Sequence, residues 1–368
     1  MFIAVFVLIA LSILYLTHYF LYLSIVHFFG VAGLSRKLVP ALALFILATS
    51  FIASEILLRA SASFLSQALY FISSLWLGVG LTLATCFVLA WLGWGAARVF
   101  TNSPAPALFG WTAVALACLY SSYGVWNAYH PRTTEISVSI KNLPSEWRGK
   151  SIVQLSDVHL GHILGPTFLK GIVEMVNARN PEIVLITGDL FDGSDGRLDE
   201  LVRPLNDIRA PLGIYYVTGN HETYLGVARA YEALKTTRVR ILEDEMTLIY
   251  GLQLIGISYP QRGVGKNLAE AISKLPGFDS EKPSILLYHN PDKAEQAIAA
   301  GVNLMLAGHT HKGQIFPIQF ISRLIYKKYY NGLHVEGDTT IYTSSGAGTW
   351  GPTMRTGNHP EIAVIRLN

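Results

Sequence analysis

The sequence predicts an α/β domain that follows a four-helix transmembrane region. Three observations lead to this prediction. Charged side chains are almost absent before His130. After that point, short apolar runs with the length and β-branched content of buried strands alternate with helical patterns. In addition, five of these apolar runs are each followed by a short cluster of polar residues.

The N-terminal part contains four apolar windows long enough to cross a bilayer, which requires about 20 mostly apolar residues. They cover residues 2–26, 39–58, 69–94 and 107–129. The first window is too long for a signal-peptide core and lacks a basic start. Glu55 and Arg59 are spaced as neighbours on one helix, which favours a local ion pair over an ion pathway. Residues 1–129 are therefore interpreted as a transmembrane anchor and not as a transporter.

Charge and cysteine content argue against a nucleic-acid-binding protein and against a disulfide-linked domain. Four of the 28 basic residues and one of the 25 acidic residues lie before His130, which leaves 24 of each sign after it. This balance predicts no basic patch, so no nucleic-acid partner is expected. Cys86 and Cys118 both lie in predicted spans, so no disulfide framework is expected in the domain that follows. The oligomeric state stays open.

Residues 130–150 are predicted to form a linker and a first strand at 135–140, and residues 151–368 to form the domain that contains the remaining elements. Helices are predicted at 166–178, 198–208, 227–235 and 291–300, the second with a kink at Pro204. Further strands are predicted at 151–155, 183–186, 214–217, 252–258, 284–288, 303–307, 340–344 and 362–367. The alternation of strands and helices predicts a layered α/β architecture.

Each of the five polar clusters comes directly after a predicted strand. They are Asp157-Val158-His159, Gly188-Asp189-Leu190-Phe191-Asp192, Gly219-Asn220-His221-Glu222, His289 and Gly308-His309-Thr310-His311. Open α/β sheets bind their ligands at the carboxyl ends of the strands. Aspartate, histidine and amide side chains are mixed ligands that suit borderline transition metals such as Mn, Fe and Zn. The clusters therefore predict a metal site.

The order of these clusters resembles that of the calcineurin-like metallophosphoesterases, over roughly residues 136–367. The tail with Gly348-Thr349-Trp350-Gly351-Pro352 and Pro360-Glu361-Ile362 is similar to one bacterial branch, whose members are often membrane-tethered. Lys312 departs from that branch, in which a second glycine commonly follows Gly-His-Thr-His. The departure concerns the rim of the substrate site and not the metal ligands. The resemblance implies an αββα layered sandwich with helices on both outer faces.

The resemblance also implies a centre for two divalent metal ions, whose identity among Mn, Fe and Zn stays open. One ion would be bound by Asp157, His159, Asp189 and His311, and the other by Asp189, Asn220, His289 and His309. Asp189 would bridge the ions, with one carboxylate oxygen facing each. Asn220 is a neutral ligand and keeps the net charge of the centre positive for an anionic substrate.

Two catalytic residues are implied beside the metals. His221 has no metal in this scheme and is expected to act as an acid or hydrogen-bond donor toward the phosphate or the leaving oxygen. Asp192 is expected to orient His221, with a turn cap beside Gly193 as the alternative. Glu222 has two readings, a site residue or an acid at a helix N-terminus. Arg355 has two as well, a phosphate contact or a solvent-exposed side chain.

These residues predict a membrane-anchored, metal-dependent phosphoric ester hydrolase, a phosphatase or phosphodiesterase that uses metal-activated water. One alternative is a pyrophosphatase-type hydrolase of a lipid-linked nucleotide diphosphate, and another is a non-catalytic metal-binding scaffold or sensor. The complete ligand set favours an enzyme over a scaffold. The expected partners are a phosphorylated substrate, soluble or lipid-linked, and the lipid bilayer. The residues do not distinguish a monoester, a diester and a lipid diphosphate, and the role of the loop at 316–331 stays open.

The protein is predicted to be a multi-pass integral membrane protein of a bacterial cell. Four spans place the N-terminus and the catalytic domain on the same side of the membrane. Arg36, Lys37 and Arg98 lie in loops on the other side, which the positive-inside rule assigns to the cytoplasm. Arg59 lies in the opposite short loop. This small difference in charge favours an extracytoplasmic catalytic domain.

Overall fold

The computed structural model describes residues 2–101, 104–193, 196–261 and 265–368. It divides into two compact units. The first, called here the helical unit, comprises Met1–Trp126 together with Gly351–Thr356. The second, called here the catalytic unit, comprises Asn127–Trp350 and Gly357–Asn368.

The helical unit contains four helices that are long and apolar enough to cross a membrane. They are α1 (Phe2–Phe28), α2 (Leu34–Ala60), α3 (Phe64–Phe100) and α4 (Pro106–Ala128). Many of their apolar side chains are exposed, including Leu92, Phe100 and Leu119. Exposed apolar side chains over such lengths are typical of helices whose solvent is lipid. The structure therefore confirms four helices that could span a membrane in the predicted part of the chain.

Several polar side chains of the helical unit are paired, within one helix or between two helices. Arg59 and Glu55 form an ion pair at 2.8 Å on one face of α2, as predicted. Trp76 donates its indole N–H to His18 at 3.0 Å, and Trp91 donates to Ser24 Oγ at 3.0 Å. Paired polar groups of this kind satisfy hydrogen-bonding demands that lipid cannot meet.

The segment Gly351–Thr356 packs among these helices. The backbone N–H of Arg355 donates to the carbonyl of Gly124 at 2.9 Å, and Thr353 Oγ1 lies 2.7 Å from Ser74 Oγ. Gly124 has to be a glycine for this packing, because a Cβ there would come within 2.5 Å of Thr356. Arg355 is fully buried in the structure. The reading of Arg355 as a solvent-exposed side chain was therefore wrong.

The catalytic unit is a sandwich of two six-stranded sheets. The first sheet contains β1 (Arg132–Val138), β2 (Ser151–Leu155), β3 (Ile183–Thr187), β4 (Ile214–Val217), β5 (Val239–Ile241) and β12 (Glu361–Leu367), in the order β1-β12-β2-β3-β4-β5. The second contains β6 (Glu245–Ile249), β7 (Leu252–Gly256), β8 (Ser284–Leu287), β9 (Leu304–Ala307), β10 (Gly332–Glu336) and β11 (Thr339–Thr343), in the order β10-β11-β9-β8-β7-β6.

The centre of each sheet is parallel. In the first sheet β2, β3 and β4 run side by side, with Ile152 opposite Ile183 and Val184 opposite Ile214. In the second sheet β7, β8 and β9 do the same. Parallel strands buried on both faces require apolar residues throughout, which explains the continuous apolar runs in the sequence. All the central strands of a sheet then end at the same edge.

Three apolar cores hold the layers together. One core lies between the sheets and includes Leu185, Leu254 and Leu306. The other two cover the outer faces, where helices pack on each sheet. The helices of the catalytic unit are α5 (Pro166–Asn177), α6 (Leu198–Val202), α7 (Asn220–Leu225), α8 (Val227–Leu234), α9 (Leu268–Ser273), α10 (Ala294–Ala299) and α11 (Ile318–Tyr326). The αββα layered sandwich is therefore confirmed.

The structure also differs from the sequence-based prediction in several elements. The strands β5, β6 and β10 were not predicted, because they are short and half-exposed and lack a continuous apolar run. The region 316–331, interpreted as a loop, contains helix α11 and a short 3₁₀ turn at Lys327–Tyr330. At Pro204 the predicted helix changes to 3₁₀ geometry, as a proline inside a helix favours.

Candidate metal centre

The polar clusters meet at the carboxyl edges of both sheets. Asp157 follows β2, Asp189 follows β3 and Asn220 follows β4, all in the first sheet. His289 follows β8 and His309 follows β9 in the second sheet. The prediction that each cluster follows a strand is confirmed. Because the two sheets are stacked, side chains from both reach one place.

The backbone is strained at this place. Five of the seven predicted metal ligands have positive φ: Asp157 (52°), His159 (52°), Asp189 (48°), His309 (73°) and His311 (47°). Each such conformation costs a non-glycine residue on the order of 1–3 kcal/mol, and strain of this kind concentrates at functional sites. Two glycines permit the close packing: a Cβ on Gly308 would lie 1.9 Å from Ser156 Oγ, and a Cβ on Gly219 would lie 2.2 Å from Asp189 Oδ1.

One half of the centre contains Asp157, His159 and His311, all buried. The Nε2 atoms of His159 and His311 lie 3.0 Å apart. His311 Nε2 also lies 3.4 Å from Asp157 Oδ1. The Asp157 carboxylate is fixed in place, since it accepts hydrogen bonds from the Ser156 hydroxyl (2.5 Å) and from the backbone N–H of His309 (2.9 Å).

The other half contains Asp189, Asn220, His289 and His309. His289 Nε2 lies at its middle, 3.1 Å from Asp189 Oδ2, 3.2 Å from Asn220 Oδ1 and 3.2 Å from His309 Nδ1. His289 is held in this orientation by its other ring nitrogen, which donates to the carbonyl of Thr187 at 2.8 Å. Ring nitrogens fixed by such a bond are typical of metal-binding histidines.

Asp189 connects the two halves through a single oxygen. Asp189 Oδ2 lies 3.1 Å from His289 Nε2 in one half and 3.9 Å from His159 Nε2 in the other. Asp189 Oδ1 accepts the backbone N–H of His221 at 2.9 Å. Oδ1 is thus held by a hydrogen bond, while Oδ2 lies between the two halves; that one oxygen faces each ion stays a prediction.

Burial and mutual proximity shift the pKa values here. Burial opposes the charged form of His289, but the charges of Asp189 and Asp157 and the hydrogen bonds to Asp189 and the Thr187 carbonyl together outweigh burial and raise the pKa of His289 to about 9. Burial likewise opposes the charged form of Asp189, yet His289 holds the pKa of Asp189 well below its ordinary value. Burial, reinforced by the charge on His289, lowers the pKa of His309 to about 3. These shifts favour a charged His289 beside an ionised Asp189, with His309 neutral.

The donor set fits divalent transition metals. In the part of the chain that the structure describes, three groups of three residues place one ligand atom each within 4.8 Å of one another: Asp157, His159 and His311; His159, Asp189 and His221; and Asp189, His289 and His309. The atoms are imidazole nitrogens and carboxylate oxygens, with the amide oxygen of Asn220 beside them. Mn, Fe and Zn accept this mixture of ligands.

Comparison with known proteins agrees with this geometry. A model of the calcineurin-like phosphoesterase family matches residues 150–313. A metallophosphoesterase of Aquifex aeolicus is 30% identical over 259 residues, which cover 68% of this chain and 97% of that protein. This chain belongs to the calcineurin-like metallophosphoesterase family.

Two further metallophosphoesterases are similar over part of their length. A transmembrane protein with a metallophosphoesterase domain from Danio rerio is 33% identical over 275 residues, which cover 69% of this chain and 62% of that protein. A metallophosphoesterase of Helicobacter pylori is 37% identical over 240 residues, which cover 64% of each chain. The chain thus spans less than two thirds of the length of these two relatives.

Glu222 supports the ligand loops of this metallophosphoesterase. Its buried carboxylate accepts three backbone N–H groups, from Gly219 (2.6 Å), Asp189 (3.0 Å) and Phe191 (3.1 Å). Burial, reinforced by Asp189, raises the pKa of Glu222. Both readings of Glu222 therefore hold at once: it is an acid in the first turn of α7, and it also fixes the loop that carries Asp189.

The structure corrects the expected role of Asp192. His221 Nδ1 donates to the backbone carbonyl of Asp192 at 2.8 Å. The Asp192 carboxylate instead lies 3.5 Å from His159 Nδ1. The carboxylate of Asp192 thus faces a predicted metal ligand, whereas its main chain orients His221. Sequence reasoning could not separate these two roles, because both belong to one residue.

Aromatic side chains surround the centre. The ring centroids of Tyr224 and Trp350 lie 5.2 Å and 5.5 Å from that of His221. The ring centroid of Tyr326, on α11, lies 5.7 Å from that of His309. Ser156, Thr187 and these aromatic residues were missed by sequence reasoning. Two of them had a signal in the sequence: Ser156 directly precedes Asp157, and Trp350 belongs to the tail that resembles one bacterial branch.

Proposed function

We propose that this protein hydrolyses a phosphate ester with two divalent metal ions while α1–α4 anchor it in a membrane. The single observation that carries the proposal is the position of Asp189 Oδ2. It faces His289 Nε2 at 3.1 Å on one side and His159 Nε2 at 3.9 Å on the other. A carboxylate oxygen between two groups of buried nitrogen and oxygen atoms is suited to bridge two cations.

The residues fit the ions as follows. Asp157, His159, Asp189 and His311 would hold one ion, and Asp189, Asn220, His289 and His309 the other. When bound, two such ions lower the pKa of a water molecule and neutralise charge on the phosphoryl oxygens. Asp157 and Asp189 are the two carboxylates among these ligands, and Asn220 is neutral, so two divalent ions leave an excess of positive charge. That excess favours an anionic phosphate.

His221 would act on the leaving group. Its Nδ1–H is engaged by the carbonyl of Asp192 at 2.8 Å, so Nε2 is the nitrogen that remains for chemistry. The ring lies beside the centre, with its centroid 4.6 Å from that of His159. In the protonated form, Nε2–H donates to the oxygen that leaves phosphorus. Hydrogen bonding to a backbone carbonyl fixes the ring without neutralising its charge.

The experiment is a turnover assay of the purified full-length chain loaded with Mn²⁺, Fe²⁺ or Zn²⁺. Substrates are p-nitrophenyl phosphate, bis-p-nitrophenyl phosphate and a lipid-linked nucleotide diphosphate, which separate phosphatase, phosphodiesterase and pyrophosphatase activity. Turnover of one of these, lost in Asp189→Asn, supports the proposal. Full metal loading without turnover of any of the three would favour the non-catalytic scaffold.

We also propose that the catalytic unit faces away from the cytoplasm. The support is the excess of Arg36, Lys37 and Arg98, which lie at the start of α2 and the end of α3 and so on the opposite side from the catalytic unit. Protease added to intact bacterial spheroplasts expressing the chain is then expected to remove the region after Ala128. Full protection until the membrane is permeabilised would place the site in the cytoplasm.

A further inference from the structure

A surface helix normally turns its apolar side chains inward and its polar ones outward, and helix α11 does the opposite. Ile318–Tyr326 packs against the catalytic unit through Gln319, Ser322 and Tyr326, which share one face at helical spacing. Contact on this face is close, because a Cβ on Gly313 would lie 2.3 Å from the Cα of Gln319. Ser322 is buried, and burial raises the pKa of Tyr326 to about 12. The polar face of this helix is thus the inner one.

The outer face of α11 is apolar and uncovered. Phe320, Ile321, Leu324 and Ile325 are 57%, 50%, 79% and 62% exposed. Single exposed apolar side chains are ordinary, but four on one helical face form a contiguous patch, which marks an interaction surface. Exposure of these apolar side chains to water is unfavourable, and no contact on the buried face of the helix requires it.

We propose that the outer face of α11 lies in the interfacial region of the lipid bilayer. Two observations select lipid over a protein partner. First, the chain carries four helices suited to a membrane, and three residues separate the end of α4 at Ala128 from the start of β1 at Arg132. Three residues span about 10 Å at most, so a bilayer is always within reach of the catalytic unit.

Second, the charges around the patch match a lipid surface. Arg323 lies on α11, and Lys327 and Lys328 follow it directly, all exposed. The half-buried Tyr330 follows them. An apolar face bordered by basic residues is typical of helices that lie in the plane of a membrane, where lysine and arginine meet lipid phosphates. Tyr326 belongs to the same helix and lies against His309, so this surface borders the metal centre.

The test measures what each side chain of the patch contacts. In the full-length chain with Cys86→Ala and Cys118→Ala, single cysteines replace Phe320, Ile321, Leu324 or Ile325 and carry a nitroxide spin label. The protein is placed, one chain per disc, in nanodiscs of phosphatidylethanolamine and phosphatidylglycerol. Power-saturation electron paramagnetic resonance then compares collisions with oxygen, which concentrates in lipid, and with a water-soluble nickel chelate. Leu248, 62% exposed on β6, provides the matched control.

At all four positions of α11, oxygen collisions are expected to exceed nickel collisions. At Leu248→Cys the nickel chelate is expected to dominate. Dominance of nickel on α11 would show that the face lies in water, and low values for both reagents would show a protein contact. Either result overturns the proposal. Because the readout requires no turnover, its failure is distinguishable from failure of the proposed hydrolase activity.

Discussion

The helical unit and the catalytic unit depart from the pattern of a water-soluble protein in opposite ways. In the helical unit large apolar side chains such as Leu92 and Leu119 are exposed. In the catalytic unit the carboxylates of Asp157, Asp189 and Glu222 are buried. Each departure costs free energy unless a partner compensates for it. Under the proposed function the two departures are compensated differently: lipid would cover the apolar side chains of the helices, and cations at the carboxyl edges of the sheets would neutralise Asp157 and Asp189, whereas Glu222 has three backbone N–H partners.

Neutralising Asp189 tests this comparison with the largest expected effect. Asp189→Asn removes the negative charge that both halves of the centre share. Metal content should fall and turnover should drop to background, because both ions lose a ligand. Metal analysis and turnover of the same preparation give the result. Two ions and the wild-type rate in Asp189→Asn would show that the carboxylate has another purpose.

Replacing His221 tests whether chemistry is separable from metal binding. His221→Ala should retain metal and lose about 10²–10⁴-fold in rate, the usual contribution of a general acid. The loss should shrink for p-nitrophenyl phosphate relative to an alkyl phosphate, since p-nitrophenolate leaves without a proton. Equal losses for the two substrates would indicate positioning alone. Loss of metal in His221→Ala would instead make His221 a ligand, as its proximity to His159 and Asp189 allows.

Replacing Asp192 should have a smaller effect, on metal affinity in the half of the centre that contains His159. Its carboxylate lies 3.5 Å from His159 Nδ1, and loss of such a partner typically weakens metal affinity about 10–100-fold. Asp192→Asn keeps the backbone carbonyl that orients His221, so the rate at saturating metal should be near that of the wild type. Metal titration at constant substrate separates the two quantities. A lower saturated rate with unchanged affinity would contradict the assignment.

Glu222 tests how the catalytic unit tolerates a buried charge. In Glu222→Gln one carboxylate oxygen becomes an NH₂ group, which cannot accept a hydrogen bond from a backbone N–H. Each hydrogen bond to a charged group that is lost costs about 1.5–3 kcal/mol. The free energy of unfolding, measured for the full-length chain in detergent, should fall by roughly that amount. The control is Glu232→Gln, whose exposed pair with Lys235 should change stability by less than about 0.5 kcal/mol. Equal stability of both variants would show that Glu222 is replaceable.

Much of this architecture could be predicted from the sequence, because its signals are local. The runs before Asp157, Asp189 and His289 are apolar and β-branched, since parallel strands are buried on both faces. The ligands follow directly, since ligand sites form where such strands end. The spans were equally accessible, because lipid selects about 20 apolar residues regardless of what surrounds them.

Other features depend on side-chain directions that a sequence does not carry. His221 Nδ1 meets the carbonyl of Asp192 and not its carboxylate, and the backbone N–H of His221 binds Oδ1 of Asp189 and not Oδ2. Neither choice can be seen in the sequence. Helix α11 was missed because its apolar residues point outward, whereas sequence patterns are interpreted on the assumption that apolar residues point inward.

The most direct test of the central claim is a metal titration of the metal-free, full-length protein. Calorimetry with Mn²⁺ or Zn²⁺, checked by elemental analysis after desalting, gives the number of ions per chain. Two ions are expected for the wild-type chain and fewer for Asp189→Asn. Proton release should accompany binding at pH 7.5, because His289, with its pKa raised to about 9, must become neutral to bind metal. One ion or none per wild-type chain at saturation would contradict the account.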